Sequence, residues 1–249
     1  MHTMMLTRSP VYRETLDDQD GTLSARVYRH LSERLVAGRF APGDKLSLRA
    51  VAEALGVSMM PVRGAVSRLA AEGALEVLPK KAVTVPLMRA AQFRDITRVR
   101  VEIEGTAAAM ACERAGADAV QDIARCEAAF RALSQQSSPD LAQAVAANQA
   151  FHFAVYRAAG SSELLAIIER LWLRVGPIIN LDLRENPERL ALGDAVRCHA
   201  ATLTAIRAGD RDGARAAIAA DIRGASDFIL SRGRLPDGEP GEPVFQGDQ

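Results

Sequence analysis

Only four histidines occur in the 249 residues, and two of them, His152 and His199, lie in a stretch that reads as helix throughout. Asn148 stands four residues before His152, so both side chains leave one face of the same helix, as paired ligands must. His199 falls near the middle of a later helix and Asp221 near the middle of the last one. If those helices meet in a bundle, two imidazoles, one carboxylate and one amide oxygen converge. Such a donor set suits a divalent metal ion (Zn, Ni, Mn or Fe) with positions left open. The competing reading of each imidazole is a hydrogen-bonded core residue. Two histidines and a carboxylate also form the triad of non-haem iron oxygenases, but no base or nucleophile accompanies them, so an enzyme is not expected. The cysteines, Cys112, Cys126 and Cys198, are odd in number and lack CxxC spacing. Neither a disulfide framework nor a thiolate zinc site is expected, and buried free thiols are.

The elements that must position these groups are helices. From about Gln92 to residue 232 no segment shows strand alternation, and breaks fall at Gly116, Ser137-Ser138-Pro139, Gly160-Ser161, Asn186-Pro187 and Gly209-Asp210. They leave six helices of roughly 15 to 25 residues. Pro177 should kink the fourth, because its ring blocks one backbone bond and clashes with the preceding turn. Ala-rich runs such as Thr106–Ala111 and Ala214–Ala220 read as close-packed helix faces. Arg174, beside the sole tryptophan Trp172, is expected to face the interior cavity. Residues 233–249, rich in Gly, Pro and acid, read as a disordered tail.

The first third differs. Residues 1–21 mix charges without an apolar period and read as a disordered arm. Leu23, Val27, Leu31 and Leu35 then recur at four-residue steps behind Thr22 as N-cap, and Gly38 closes this helix before the turn Ala41-Pro42-Gly43. Ser47 caps a second helix with Val51, Ala52 and Leu55 facing inward, and Gly56 frees the backbone for a tight turn. Ser58 opens a third helix. Pro61 sits in its first turn, where a missing N–H costs nothing, and Val62, Val66 and Leu69 form its stripe as far as Gly73. Two short strands follow, Ala74–Leu78 and Ala82–Val85, with Pro79-Lys80-Lys81 as a basic tip between them.

The chain has zero formal charge, which alone argues against a nucleic-acid partner, but its distribution reverses that reading. Residues 22–86 carry ten Lys/Arg against five Asp/Glu, while residues 1–21 and 87–249 are net negative. Three helices and a two-strand wing with a turn at Gly56-Val57-Ser58 are the parts of a winged helix-turn-helix, whose third helix enters the major groove. Arg49, Arg63, Arg68, Lys80 and Lys81 then reach phosphates on both sides of it. The alternative is that they solvate a small domain's surface. With 48% hydrophobic side chains and no apolar run long enough for a bilayer or a signal-peptide core, a two-domain cytoplasmic protein with no membrane association is expected.

At this point a resemblance becomes specific. The run Leu31 through Val85, with Gly38-Arg39-Phe40-Ala41-Pro42-Gly43-Asp44-Lys45-Leu46, Leu55-Gly56-Val57-Ser58, Pro61-Val62-Arg63 and Leu69-Ala70-Ala71-Glu72-Gly73, resembles the GntR family of bacterial regulators. The resemblance implies DNA contacts from Arg49, Ser58, Arg63 and the wing lysines Lys80 and Lys81. Two departures stand out: Met59-Met60 replaces the family's usual Arg-Thr, and Gly64 its usual Glu. Met cannot make the bidentate guanine contact of Arg but can pack on a thymine methyl, so a different operator preference is implied. Gly64 should cost its helix about 1 kcal/mol against Ala.

Residues 92–232 resemble the FadR-type, or FCD, ligand-binding domain, through Arg100-Val-Glu-Ile-Glu104, Asn148-Gln-Ala-Phe-His152, Cys198-His199 and Ala205-Ile-Arg-Ala-Gly-Asp210. Metal-binding members usually show Asp where this chain has Asn148, and a third His where it has Asp221. A carboxylate has left one corner of the site and appeared at another. Arg100 is the position from which this family commonly offers a cation to the effector, and a guanidinium fork fits a carboxylate bidentately. An ion pair with Glu104 is the simpler alternative. The resulting expectation is a mainly α chain, with a winged helix-turn-helix over 22–86, a linker over 87–91 and a bundle of about six helices over 92–232. It implies a homodimeric repressor on an inverted-repeat DNA operator, controlled by a small organic acid. A ligand-independent architectural DNA-binding protein is the rival.

Overall fold

The computed structural model describes residues 21–79 and 82–237. The arm over 1–20, the wing-tip Lys80 and Lys81, and the tail from 238 onward lie outside the described residues.

Helix α1, Leu23–Val36, starts where expected, with the Thr22 hydroxyl accepting from the Ala25 amide at 3.3 Å. Val27, Leu31 and Leu35 are fully buried, but Leu23 is 40% exposed. A strict four-residue step drifts about 40° per repeat around a helix of 3.6 residues per turn, and this carries the first member off the buried face. Helix α2, Leu48–Leu55, is capped by the Ser47 side chain, and Gly56 ends it at φ +63°. Helix α3, Met59–Ala71, buries Val62, Ala65, Val66 and Leu69. The sheet has three strands, not two: β1 (Lys45–Leu46), β2 (Glu76–Val77) and β3 (Val83–Thr84), in the order β1-β3-β2, all antiparallel. Strand β1 is two residues long and too short to show alternation, and the Gly43 and Asp44 backbones extend its pairing to Val85.

Among the described residues seven helices follow: α4 (Ala90–Arg114), α5 (Ala117–Ser134), α6 (Leu141–Ala158), α7 (Ser162–Glu185), α8 (Pro187–Ala191), α9 (Asp194–Ala208) and α10 (Arg211–Ser231). Six are the long helices expected, and α8 is a single turn behind the Asn186-Pro187 break. Helix α7 continues helical through Pro177 to Glu185. Helix α4 packs on α10, and its small residues permit the close approach: Ala107, Ala108 and Ala111 are fully buried, and a Cβ on Gly105 would lie 3.1 Å from Arg215 Cγ. The first residues assigned to a disordered tail are instead packed. Leu235 joins the cluster of Met88, Phe93 and Ile229, and the Pro236 carbonyl accepts from the Ala90 amide at 3.0 Å. An apolar side chain placed just past α10 had a core to join.

The two halves meet where the end of α1 lies against α7. A Cβ on Gly176 would lie 2.7 Å from Val36 Cα, and one on Gly38 would lie 2.6 Å from the Leu181 nitrogen, so backbone touches backbone at both points. Asn180, fully buried, donates from Nδ2 to the Val36 carbonyl, and Arg184 donates to the Gly38 carbonyl at 3.1 Å. Among the described residues no helix is long and apolar enough to cross a membrane.

Candidate metal centre and nucleic-acid interface

The exposed face of the first module is built by α2 and α3. The Arg49 side chain is 86% exposed and pairs with Glu53, one turn along, at 3.0 Å. An exposed pair of this kind contributes under about 1 kcal/mol and yields readily to a phosphate. Arg63 and Ser58 are exposed, and Met60 is 74% exposed. Ser58 has the extended backbone of an N-cap, but its side chain makes no capping hydrogen bond, so its hydroxyl is left for solvent or another acceptor. Two expectations need correction here. Met59 is half-buried and packs on the module's core, so only Met60 of the pair projects outward. Arg68 is held by its own module: its guanidinium lies 3.8 Å from the centre of the Tyr28 ring and pairs with Glu72, which also accepts from the Tyr28 hydroxyl at 2.6 Å. Gly64 lies against Ser24 of α1. A Cβ there would lie 2.6 Å from Ser24 Oγ, which donates to the Pro61 carbonyl at 3.3 Å where α1 crosses α3.

In the helical half, α6, α9 and α10 bring His152, His199 and Asp221 together, with one ligand atom from each within 4.8 Å of the others. His152 Nε2 lies 3.1 Å and His199 Nε2 3.8 Å from Asp221 Oδ2. Two ligands on opposite sides of one ion, each about 2.1 Å away, are about 4.2 Å apart, so the cluster is close to the required size. His199 is fully buried, stacked on Phe151 at 3.9 Å between ring centres and flanked by Phe130 at 4.8 Å. Both of its ring nitrogens lack a hydrogen-bond partner. Asn148 is buried one turn before His152 on α6.

Protons can be assigned around His152. Glu104 is fully buried and accepts from Arg100 Nε at 2.6 Å, from Arg100 Nη2 at 3.2 Å and from Trp172 Nε1 at 3.1 Å. The Tyr156 hydroxyl donates to the same carboxylate in a short contact, and it also meets His152 Nδ1 at 2.9 Å. A phenol has one proton. With that proton on the Glu104 side, His152 Nδ1 must be the donor to the Tyr156 oxygen. His152 Nε2 then faces Asp221 either with a second proton or with a bare lone pair, and a lone pair 3.1 Å from a carboxylate needs a cation between them. The electrostatics agree with an anionic corner at Asp221. Burial alone would raise the Asp221 carboxyl, yet the two imidazoles hold it well below the usual carboxylate range. Burial pushes His199 below the ordinary imidazole value, against the pull of Asp221. Burial and then Asp221 push the Cys198 thiol up to about 11, which leaves it a neutral thiol.

Arg100 and Arg174 differ from expectation. The Arg100 fork is occupied by Glu104, and its guanidinium lies 5.2 Å from the Trp172 ring centre. Burial works against its charge, and Glu104 more than restores it. The simpler alternative describes it: a buried ion pair, not a free fork. Arg174 is exposed and lies beside Gly73 of the first module, away from the histidines. Two helical residues beyond Trp172 is a turn of about 200°, which places it on the opposite face of α7. Tyr156 and Trp172 join the site beyond the residues expected there. The first was visible as the next step of an Asn148, His152, Tyr156 polar stripe, and the second as an indole N–H that needs a partner once buried.

The FCD domain profile matches residues 95–224, and the profile of bacterial regulatory proteins, gntR family, matches residues 23–85. The HTH-type transcriptional regulator McbR of Escherichia coli (strain K12) is 34% identical over 199 residues, which cover 80% of this chain and 88% of McbR. The HTH-type transcriptional repressor GlaR of the same organism is 29% identical over 150 residues, 58% of this chain and 67% of GlaR. The solved structure of E. coli McbR/YncC superposes with a TM-score of 0.79 at 29% identity, covering 86% of this chain and all of that one.

Proposed function

The chain belongs to the GntR family of bacterial regulatory proteins, with an FCD domain as its second half, and we propose that it is a metal-dependent, metabolite-controlled repressor. It is a DNA-binding transcription regulator and not an enzyme. In this reading two copies bind an inverted repeat in the cytoplasm, each presenting Met60, Arg63, Ser58 and Arg49 to one half-site. The name of the relative GlaR, a transcriptional repressor, supports the sign of regulation.

One observation carries the metal reading: His199 has two buried ring nitrogens without a hydrogen-bond partner, next to His152 Nε2 and Asp221 Oδ2. A buried polar atom left unpaired costs about 1–3 kcal/mol, and a ligand that accepts its lone pair removes that cost. His152, His199 and Asp221 would hold the ion, with Asn148 as a neutral oxygen donor one turn away. When bound, a divalent ion supplies open coordination positions for the carboxylate of a small organic acid. The remaining work belongs to the chain. Tyr156 fixes the His152 ring with Nε2 inward, Phe130 and Phe151 hold the His199 ring, and Asp221 supplies negative charge. Arg100 contributes a fixed charge already balanced by Glu104.

The test is elemental analysis of protein purified without chelator or His-tag, followed by operator binding with and without EDTA. The reading expects about one divalent ion per chain and a change of operator affinity with small organic acids that EDTA abolishes. A second reading rests on the 3.1 Å His152–Asp221 contact, which a proton could hold without an ion. It expects no metal above background and no response to EDTA.

A further inference from the structure

The sensing site and the DNA-binding module touch the same helix. Trp172, on α7, donates to Glu104 Oε2 at 3.1 Å, and the same oxygen accepts from the Tyr156 hydroxyl that bonds His152. Further along α7, at four-residue steps, come Gly176, Asn180 and Arg184, and each of these three meets the end of α1 or the residues just after it. Residues 172 and 180 are about 12 Å apart along the helix. One stripe of α7 therefore has the site at one end and the DNA-binding module at the other.

Resting on the reading of His152, His199 and Asp221 as a metal site, we infer that Glu104 is a positioning residue that ties this site to the DNA-binding module through Trp172 and α7. Three features make the connection stiff. Glu104 is fully buried and saturated by four donations from three side chains, so it cannot turn without moving its partners. The joint at Gly176 and Gly38 is backbone on backbone at its closest points, which leaves little room for a displacement to be absorbed. Asn180 is buried and already donates to Val36, which fixes the register of the joint. When His152 Nε2 gives its lone pair to a cation, Nδ1–H becomes a stronger donor to Tyr156. Tyr156 in turn donates more strongly to Glu104, since hydrogen bonds in a chain polarise one another. Glu104 then redistributes between Tyr156 and Trp172, and α7 moves against Val36. Packed side chains and hydrogen-bond networks of this kind can carry energetic coupling between distant sites.

The experiment is hydrogen–deuterium exchange on the full-length protein with and without Zn2+, read at residues 35–40 and in α6 and α10, with zinc affinity measured in parallel. In the unaltered protein zinc should slow exchange at both places. Trp172→Phe and Gly176→Ala should bind zinc as tightly as the parent yet lose the response at residues 35–40. Tyr156→Phe should weaken zinc about tenfold or more, the usual cost of removing an outer-shell partner. A purely structural role would lower the melting temperature of Trp172→Phe and leave the zinc response at the joint intact, which overturns the proposal. Zinc bound by the parent with no change at residues 35–40 overturns it too, without touching the metal reading. No zinc bound at all overturns both.

Discussion

His152 Nε2 stands 3.1 Å from Asp221 Oδ2, while the opposite ring nitrogen of His152 is committed to Tyr156. The imidazole is thus fixed in one orientation with one free coordinating edge, and that edge points at the carboxylate of the cluster. From this arrangement the consequences of losing each member can be stated.

His199→Ala should abolish metal retention and any effector response, because it removes a ligand that has no other role as a hydrogen-bond donor or acceptor. DNA binding of the free protein should stay close to that of the parent, since α2 and α3 lie in the other module. Elemental analysis and a gel shift read the two halves of the prediction. Loss of operator binding in the metal-free variant, without unfolding, would contradict it.

Arg63→Ala should weaken operator binding by roughly 1–3 kcal/mol, the range for one well-placed base contact, with the melting temperature unchanged. Arg63 is exposed on α3. Arg68 provides the contrast. It clamps Tyr28 and Glu72, so Arg68→Ala should lower the melting temperature. Equal operator affinities for the parent and Arg63→Ala would remove Arg63 from the interface.

Stripped of metal, the protein should lose stability as pH falls below the ordinary histidine range. Burial holds folded His199 below its unfolded value of about 6.5, so the unfolded chain takes up a proton that the folded chain refuses. The stability that this contributes is complete above the unfolded value and is lost as pH falls through the folded one. Asp221, also held low, adds a loss of the same sign in the acid range. His199→Phe should flatten the upper part of the melting-temperature curve between about pH 7.5 and 5.5. An unchanged slope in that variant would assign the effect elsewhere.

Which parts were readable in the sequence follows from how far apart the interacting residues lie. Thr22 and Ser47 cap the helices they precede, and the breaks at Gly116, Gly160-Ser161 and Gly209-Asp210 separate the long helices, because each is a local backbone event. Strand β1 and helix α8 span two and five residues, too short for either period to repeat. His152, His199 and Asp221 could be named because few residue types bind metals. Glu104, Tyr156 and Trp172 could not be assembled, since their meeting depends on how α4, α6 and α7 cross. Met59 and Met60 are adjacent and chemically identical, and only the packing of α3 on its module distinguishes them.

The last prediction separates the two roles open to Arg100. As part of a buried pair with Glu104, it neutralises a carboxylate that has no access to water. Removing one partner of a buried pair typically costs about 3–5 kcal/mol, because the other charge is left uncompensated. Arg100→Met should therefore lower stability by that order even with no metal or effector present, and Arg100→Met combined with Glu104→Gln should recover part of it. The recovery is only partial, because the introduced amide can set its oxygen where Glu104 Oε2 accepts from Tyr156 and Trp172, but its NH2 then faces the apolar side chain at position 100 without an acceptor. A free guanidinium kept for an effector carboxylate would behave in the opposite way: the single variant would melt like the parent and lose only the effector response. Thermal melts of the two variants without added ligand decide it, and a single variant as stable as the parent would return Arg100 to the effector.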